Sequence, residues 1–281
     1  MSISSLRIYA FFRCLNRWYF LSVVLLVLLV EASFPMTFRW VNSKGEKDDK
    51  EGIFLELSGD IKFGDYERFR VFVRENLSKW KKHRNVLLSS NGGNLVEALQ
   101  ISNLLRAMYP TIWVEERCAS ACFFLYLSGS SRYGSANLIG IHRAYFESVY
   151  FSGLAPSEAK KKQVQLTSLV NSILDENGES QTLKDKMQQT SSTTIHWLSS
   201  EEIESLGRHP AWYEELLIAR CKYKNVMKAE DAFFTKQPND RAREKAVDDF
   251  LQQSSELSAC EDSLFIQEIA ALNRLLSDPK K

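Results

Sequence analysis

Between residues 52 and 210 short apolar runs alternate with stretches whose apolar residues recur every three to four positions, and this alternation restricts the fold more than any other feature. Residues 52–57, Gly-Ile-Phe-Leu-Glu-Leu, read as a buried strand closed by the turn Ser58-Gly59-Asp60. Phe69, Val71, Phe72, Val73 and Leu77 then recur at helical spacing, with Arg68, Arg70, Arg74 and Glu75 on the wet side. Asn85-Val86-Leu87-Leu88 is a second strand, and Leu95, Ala98, Leu99, Ile101, Leu104 and Leu105 mark another amphipathic helix that Pro110 closes. Residues 111–114 and 137–141 supply two further strands. Strands separated by helices pair in parallel through right-handed crossovers, so the expected class is α/β.

One helix in this series is unlike the others. Residues 121–127 are apolar on every face and stop at Gly129, so the helix has no wet side and belongs inside the core. The polar exception stands at its mouth: Ser120, within Cys118-Ala119-Ser120-Ala121-Cys122. The strand ending at Ile141 runs into His142, and the strand at 85–88 runs into Ser89-Ser90-Asn91-Gly92-Gly93-Asn94. A serine before a helix is ordinarily a cap, and a histidine after a strand is ordinarily a hydrogen-bonded residue of no special role. Here the same fold delivers a hydroxyl, an imidazole and a double glycine whose bare backbone N–H groups can approach a ligand closely. A nucleophile, a base and an oxyanion site are thereby candidates for one place.

Charge adds an exclusion. With 36 Lys and Arg against 35 Asp and Glu the formal net charge is +1, and no segment joins a basic stripe to stacking aromatics, so no nucleic-acid partner is expected. At the N-terminus Arg7, Arg13 and Arg17 precede an uncharged run at 18–30. As a helix that run reaches about 20 Å, short of a hydrocarbon core of roughly 30 Å. The length suits a signal peptide cleaved near Val30-Glu31-Ala32. A retained anchor is the alternative, because 6–12 is also mostly apolar and Trp18, Tyr19 and Trp40 suit membrane interfaces. Residues 1–32 are therefore set apart as a leader or anchor, and the body is expected to be exported, contacting a membrane only if the leader is kept.

Export gives the cysteines a meaning. Cys14 belongs to the leader, and the remaining four, Cys118, Cys122, Cys221 and Cys260, make an even number suited to an oxidising compartment. Cys221 and Cys260 fall in two predicted helices on either side of Lys236-Gln237-Pro238-Asn239-Asp240, where a bridge would staple a hairpin and contribute about 4 kcal/mol in the chain-entropy account. Cys118 and Cys122, at helical spacing, are bridgeable only if Cys118 lies outside the helix; two small buried thiols are the alternative. No further ligands stand at zinc-site spacing, so no metal is expected.

Two further regions lie outside these motifs, and the second carries no chemistry of its own. The stretch 143–156 holds Tyr145, Phe146, Tyr150 and Phe151, which either line a groove or pack at an oligomer contact. Residues 211–281 read as a helical C-terminal region, with Leu216, Leu217 and Ala219 opening one helix and Phe265, Ile269, Leu272 and Leu276 forming the stripe of the last. It would bind a partner, assist ring assembly or cover the sheet.

The order Gly-Gly, then Ser before a buried helix, then a strand ending in His, resembles the proteolytic subunit of Clp protease and its exported relatives. The carrying segments are Leu55-Glu56-Leu57-Ser58-Gly59-Asp60-Ile61, Leu88-Ser89-Ser90-Asn91-Gly92-Gly93, the Cys-Ala-Ser-Ala-Cys block and Gly140-Ile141-His142, spread over roughly residues 53–206. The Cys-x-Ser-Ala-Cys form is similar to that of periplasmic Clp-like proteins. The resemblance implies a Clp/crotonase-like domain of repeated β-β-α units over 52–210, with Ser120 as nucleophile, His142 as general base, and the N–H groups of Gly93 or Gly92 and of Ala121 as oxyanion hole. It implies no cofactor, a peptide or protein substrate, a homo-oligomer, and a periplasmic location, free or anchored to the inner membrane.

One position departs from that pattern. The orienting aspartate is expected shortly before Trp197-Leu198-Ser199, where this chain has Ser191-Ser192-Thr193-Thr194-Ile195-His196. Thr194 is the candidate neutral substitute, and Asp175 and Asp185 are carboxylates on nearby predicted helices. Signal peptide peptidases of related fold pair serine with lysine, but Lys160, Lys161 and Lys162 read as solvated helix residues. The expectation is a serine peptidase-like acyl hydrolase. Its rival is a noncatalytic binding or scaffold protein on the same fold, and an acyl-CoA enzyme of crotonase type is a third reading that sits poorly with export.

Overall fold

A computed structural model describes residues 35–48, 50–223 and 240–277, with backbone alone for most of 240–250. The leader at 1–32 and the turn residues 236–239 lie outside the described residues. From Pro35 onward the chain forms one compact unit. Among the described residues no helix is long and apolar enough to cross a membrane.

The architecture is mixed α/β, with seven strands in one sheet and ten helices among the described residues. Strands β1 (Thr37–Val41), β2 (Phe54–Ser58), β3 (Asn85–Ser90), β4 (Thr111–Ala119), β6 (Ile139–Ile141) and β7 (His196–Trp197) follow one another across the sheet. β5 (Ser131–Tyr133) pairs with the first residues of β4, and β6 with its last. The pairings β2–β3, β3–β4, β4–β5 and β4–β6 are parallel, while β1 and β7 pair antiparallel at the two ends. The sheet thus starts at β1, ahead of residue 52, where the alternating pattern begins.

Strand periodicity places the core. Leu55, Leu57, Val86, Leu88, Ile112 and Val114 point to one face and are buried, while the residues between them are half-buried on the other. The buried face is covered by α1 (Asp65–Glu75), which is followed by the single turn α2 (Leu77–Trp80), and by α3 (Leu95–Met108) and α4 (Cys122–Leu127). All six residues of α4 are buried, so a helix too short to stand alone is held by packing, each large apolar side chain contributing roughly 1.5–3 kcal/mol.

The remaining helices frame this unit. α5 (Ser148–Phe151) and α6 (Pro156–Glu176) follow β6, and α7 (Gln181–Gln189) and α8 (Ser200–Leu206) flank β7. Arg132 of β5 and Glu179, between α6 and α7, form a buried ion pair at 3.0 Å, and Arg132 also donates to the Leu206 carbonyl at the end of α8. α9 (Ala211–Cys221) and α10 (Asp240–Ser277) close the molecule, with Phe265, Leu272 and Leu276 of α10 in the main core. Arg70 therefore departs from the wet side expected of it. It is buried, bonded to Glu67, and donates to the Leu276 carbonyl of the helix lying over it.

Candidate functional site

The site is assembled where β4 turns into α4. Cys118 N–H donates to the Leu138 carbonyl and Ser120 N–H to the Gly140 carbonyl, so pairing with the β6 segment persists up to Ser120. There the chain reverses through a left-handed conformation, Ser120 having φ +57°. A non-glycine residue held there costs on the order of 1–2 kcal/mol, so the surrounding structure must enforce it. The cap of α4 is Ala121, with no side-chain capping bond. Ser120 does not cap the helix, and its Oγ has no hydrogen-bond partner among the described residues.

A disulfide joins Cys118 and Cys122 across this turn, with Cα atoms 5.2 Å apart. Cys118 ends in β4 and Cys122 opens α4, which meets the condition that the first cysteine lie outside the helix. Cys221 and Cys260 form the second bridge, between α9 and α10.

The double glycine comes from the end of β3. Gly92 (φ +97°) and Gly93 (φ +136°) both occupy conformations that disfavour a side chain. A Cβ on Gly92 would stand 2.6 Å from the Ala119 carbonyl oxygen and 2.7 Å from Ser120 Cβ; one on Gly93 would stand 2.2 Å from the Ile61 carbonyl oxygen. Ile61 N–H donates to the Gly92 carbonyl, Asn94 N–H donates to the Ile61 carbonyl, and the Asn94 side chain caps α3. The two glycines differ in their own donors. Gly92 N–H is spent on Ser90 Oγ at 3.1 Å, whereas the N–H groups of Gly93 and Ala121 find no acceptor among the described residues.

His142 leaves β6 half-buried, with Nδ1 2.8 Å from the carbonyl oxygen of Arg143. A carbonyl only accepts, so Nδ1 carries the proton of the neutral ring and Nε2 keeps the lone pair. Thr194 does not hydrogen-bond His142: it is exposed, and its hydroxyl donates to the Ser191 carbonyl. Asp175 is ion-paired with Lys184 and Asp185 accepts from Gln181, so neither carboxylate orients the imidazole. The carboxylate in this region serves another ring, Glu202 binding His196 Nε2 at 2.9 Å. Lys160, Lys161 and Lys162 are exposed along α6.

Ser120, His142, Gly92 and Gly93 line one cleft of about 890 Å³. Its lining mixes polar residues such as Asp60, Lys62, Asn91 and Glu147 with apolar side chains open to water: Phe63 is 90 % exposed, Val149 72 % and Val96 65 %. Tyr145, Phe146 and Tyr150 of the aromatic stretch face this cleft, with Phe146 and Tyr150 stacked at 4.4 Å. Neither the Arg143 carbonyl nor Ser90 is marked by sequence, since a backbone partner leaves no residue signature and a serine after a strand is unremarked. Phe63 and Val96 were likewise invisible as cleft residues, standing far from Ser120 in the chain. Among the described residues no group of three or more His, Cys, Asp or Glu is placed to hold a metal ion.

No protein-family model matches the chain, and no curated protein does. Among solved structures it is similar to a mutant of ClpP1 from Listeria monocytogenes, at 18% identity and a TM-score of 0.40, over 55% of this chain and 87% of that one. It is also similar to a mutant of the 1510-N membrane-bound stomatin-specific protease, at 17% identity and a TM-score of 0.39, over 60% and 84% of the two chains.

Proposed function

We propose that this chain is an exported serine hydrolase of Clp/crotonase-like fold that cleaves acyl bonds, chiefly peptide bonds, without a cofactor. The observation that carries the reading is the state of the groups around the cleft. Ser120 Oγ is uncommitted, His142 has Nε2 left as its basic nitrogen, and Gly93 and Ala121 offer free N–H donors. In this reading Ser120 Oγ attacks the carbonyl carbon as its proton passes to His142 Nε2. The oxyanion is held by Gly93 and Ala121, and Gly92, whose N–H is already used, shapes the turn. The leaving amine takes the proton from His142, and water then resolves the acyl-enzyme. The Arg143 carbonyl fixes the tautomer as a triad carboxylate would, yet stabilises the imidazolium less, so acylation is slow for a serine hydrolase.

Two disulfides and the apolar leader support an oxidising, extracytoplasmic location, in the periplasm or tethered to the membrane facing it. Within the reading 52–210 is the Clp/crotonase-like part of the compact unit, the substrate is a peptide or protein, and copies of the chain assemble as a homo-oligomer. A noncatalytic binding protein on the same scaffold is the second reading, favoured by the lack of a carboxylate on His142 and of a hydrogen bond between it and Ser120.

The test is labelling of leaderless protein with a fluorophosphonate probe, read by intact mass. A stoichiometric adduct that Ser120→Ala abolishes and His142→Ala slows by at least about 100-fold is expected, given the usual size of general-base contributions. Folded protein that takes no label sinks the hydrolase and leaves the binding protein.

A further inference from the structure

Resting on the hydrolase reading, we propose that Cys118 and Cys122 are positioning residues, their disulfide being a covalent clamp that holds Ser120 in its reactive left-handed turn. The bond closes around Ser120 itself, since its ends are the penultimate residue of β4 and the first residue of α4. A loop of so few residues removes roughly half as much entropy from the unfolded chain as the Cys221–Cys260 bridge with its separation of 39. What sets this bond apart is its position around Ser120.

What it holds is a conformation the chain would otherwise leave. Ser120 at φ +57° is strained, and α4 gives it no capping bond in return. With β4 held in place, relaxing φ to negative values would leave the Ser120 N–H on the Gly140 carbonyl but swing Ser120 Cβ and the Ala121 N–H away from their present directions. Hydroxyl and oxyanion donor would be lost together, because they are consecutive residues. The opposite side of the turn is fixed by Gly92, on which a Cβ would stand 2.8 Å from Ala121 N. The turn is gripped between a glycine that admits it and a disulfide that prevents its escape. Both sulfurs' residues are fully buried, so the clamp forms with the fold and is not left to surface chemistry.

The comparison that decides this sets the wild type beside Cys118→Ala/Cys122→Ala and Cys221→Ala/Cys260→Ala, all leaderless and oxidised. Fluorophosphonate labelling of Ser120 should slow by roughly 10–100-fold in the first variant, the scale of an ångström-sized misplacement of a reacting group, and by less than about twofold in the second. Thermal melting should show the reverse order, which separates positioning from general stability. Backbone amide spectra give a readout independent of reactivity. The Gly93 and Ala121 resonances should shift or broaden only when the Cys118–Cys122 bond is absent. If the alanine pair does not fold, Cys118→Val/Cys122→Ala restores buried volume for the same measurements. Equal labelling and unmoved amides in the first variant overturn the clamp while the hydrolase stands. If wild type takes no label the hydrolase falls, and the amides alone decide the clamp, unmoved resonances overturning it.

Discussion

Gly92 is the residue at which the β3 and β4 sides of the cleft touch. It combines φ +97° with three backbone or side-chain atoms under 3 Å from any Cβ, on Ala119, Ser120 and Ala121. None of those atoms is the end of a flexible side chain, so Gly92→Ala has to move the Ser120 turn. The expected cost is about 2–4 kcal/mol from overpacking plus backbone strain, with labelling of Ser120 reduced by at least about 100-fold. Ser90→Ala offers the contrast. It leaves the buried Gly92 N–H without its acceptor and should cost about 1–3 kcal/mol in urea unfolding while labelling falls less than tenfold. Equal damage from both would mean that the contact between Gly92 and Ser120 is not what sets the geometry. At this scale the sequence displayed Ser120, His142 and the double glycine openly. It hid that Gly92 N–H is bonded while Gly93 N–H is not, which depends on where one serine hydroxyl points.

At the scale of elements, α10 decides how much of the sheet's helical cover is permanent. It buries Phe265, Leu272 and Leu276, and Arg84 both pairs with Asp262 at 2.6 Å and stacks its guanidinium over Phe265 at 4.9 Å. The Cys221–Cys260 bridge ties it to α9 over a separation of 39 residues. Removing that bridge should lower stability by about 4 kcal/mol in the chain-entropy account, seen as a lower urea midpoint without change in labelling of Ser120. An unchanged midpoint would mean that side-chain packing alone seats α10. The same helix shows what sequence periodicity does not carry. β2, β3 and the start of β4 announced themselves by alternation, and α4 by being apolar all round. β5 and β7, of three and two residues, are too short to carry a period, and β1 stands behind the leader, outside the alternating region. Arg70 read as solvent-facing because helical periodicity reports the face turned to the sheet, not the later helix that covers the opposite side.

For the whole molecule, acid acts through a place remote from Ser120 in the sequence. His209 is 6 % exposed, donates from Nδ1 to the Ser130 carbonyl at 2.6 Å, and has no partner for Nε2 among the described residues. Burial lowers its pKa to about 4, against the pull of the Ser130 bond and with help from Arg208 and Arg132. In the unfolded chain the same imidazole takes a proton near pH 6.5. Between those two values the unfolded state binds more protons, so the stability owed to neutral His209 is complete above about pH 6.5 and drains away toward pH 4. The full difference is worth about 3 kcal/mol. Two other groups, the buried Glu179 and the half-buried Glu261, slope the opposite way. Burial raises Glu179 despite Arg132, and raises Glu261 despite the Tyr213 hydroxyl and Arg84, so each contribution weakens as pH rises past the ordinary carboxylate range. A wild-type curve therefore mixes opposed terms, and the useful quantity is its difference from His209→Gln, whose amide can still donate to Ser130. Urea unfolding of both proteins from pH 7 to pH 4 should show wild type losing about 3 kcal/mol more than the variant, with the divergence starting near pH 6.5. Parallel curves would mean that water reaches the ring and that the segment carrying His209 packs less tightly at Ser130 than its 2.6 Å bond implies.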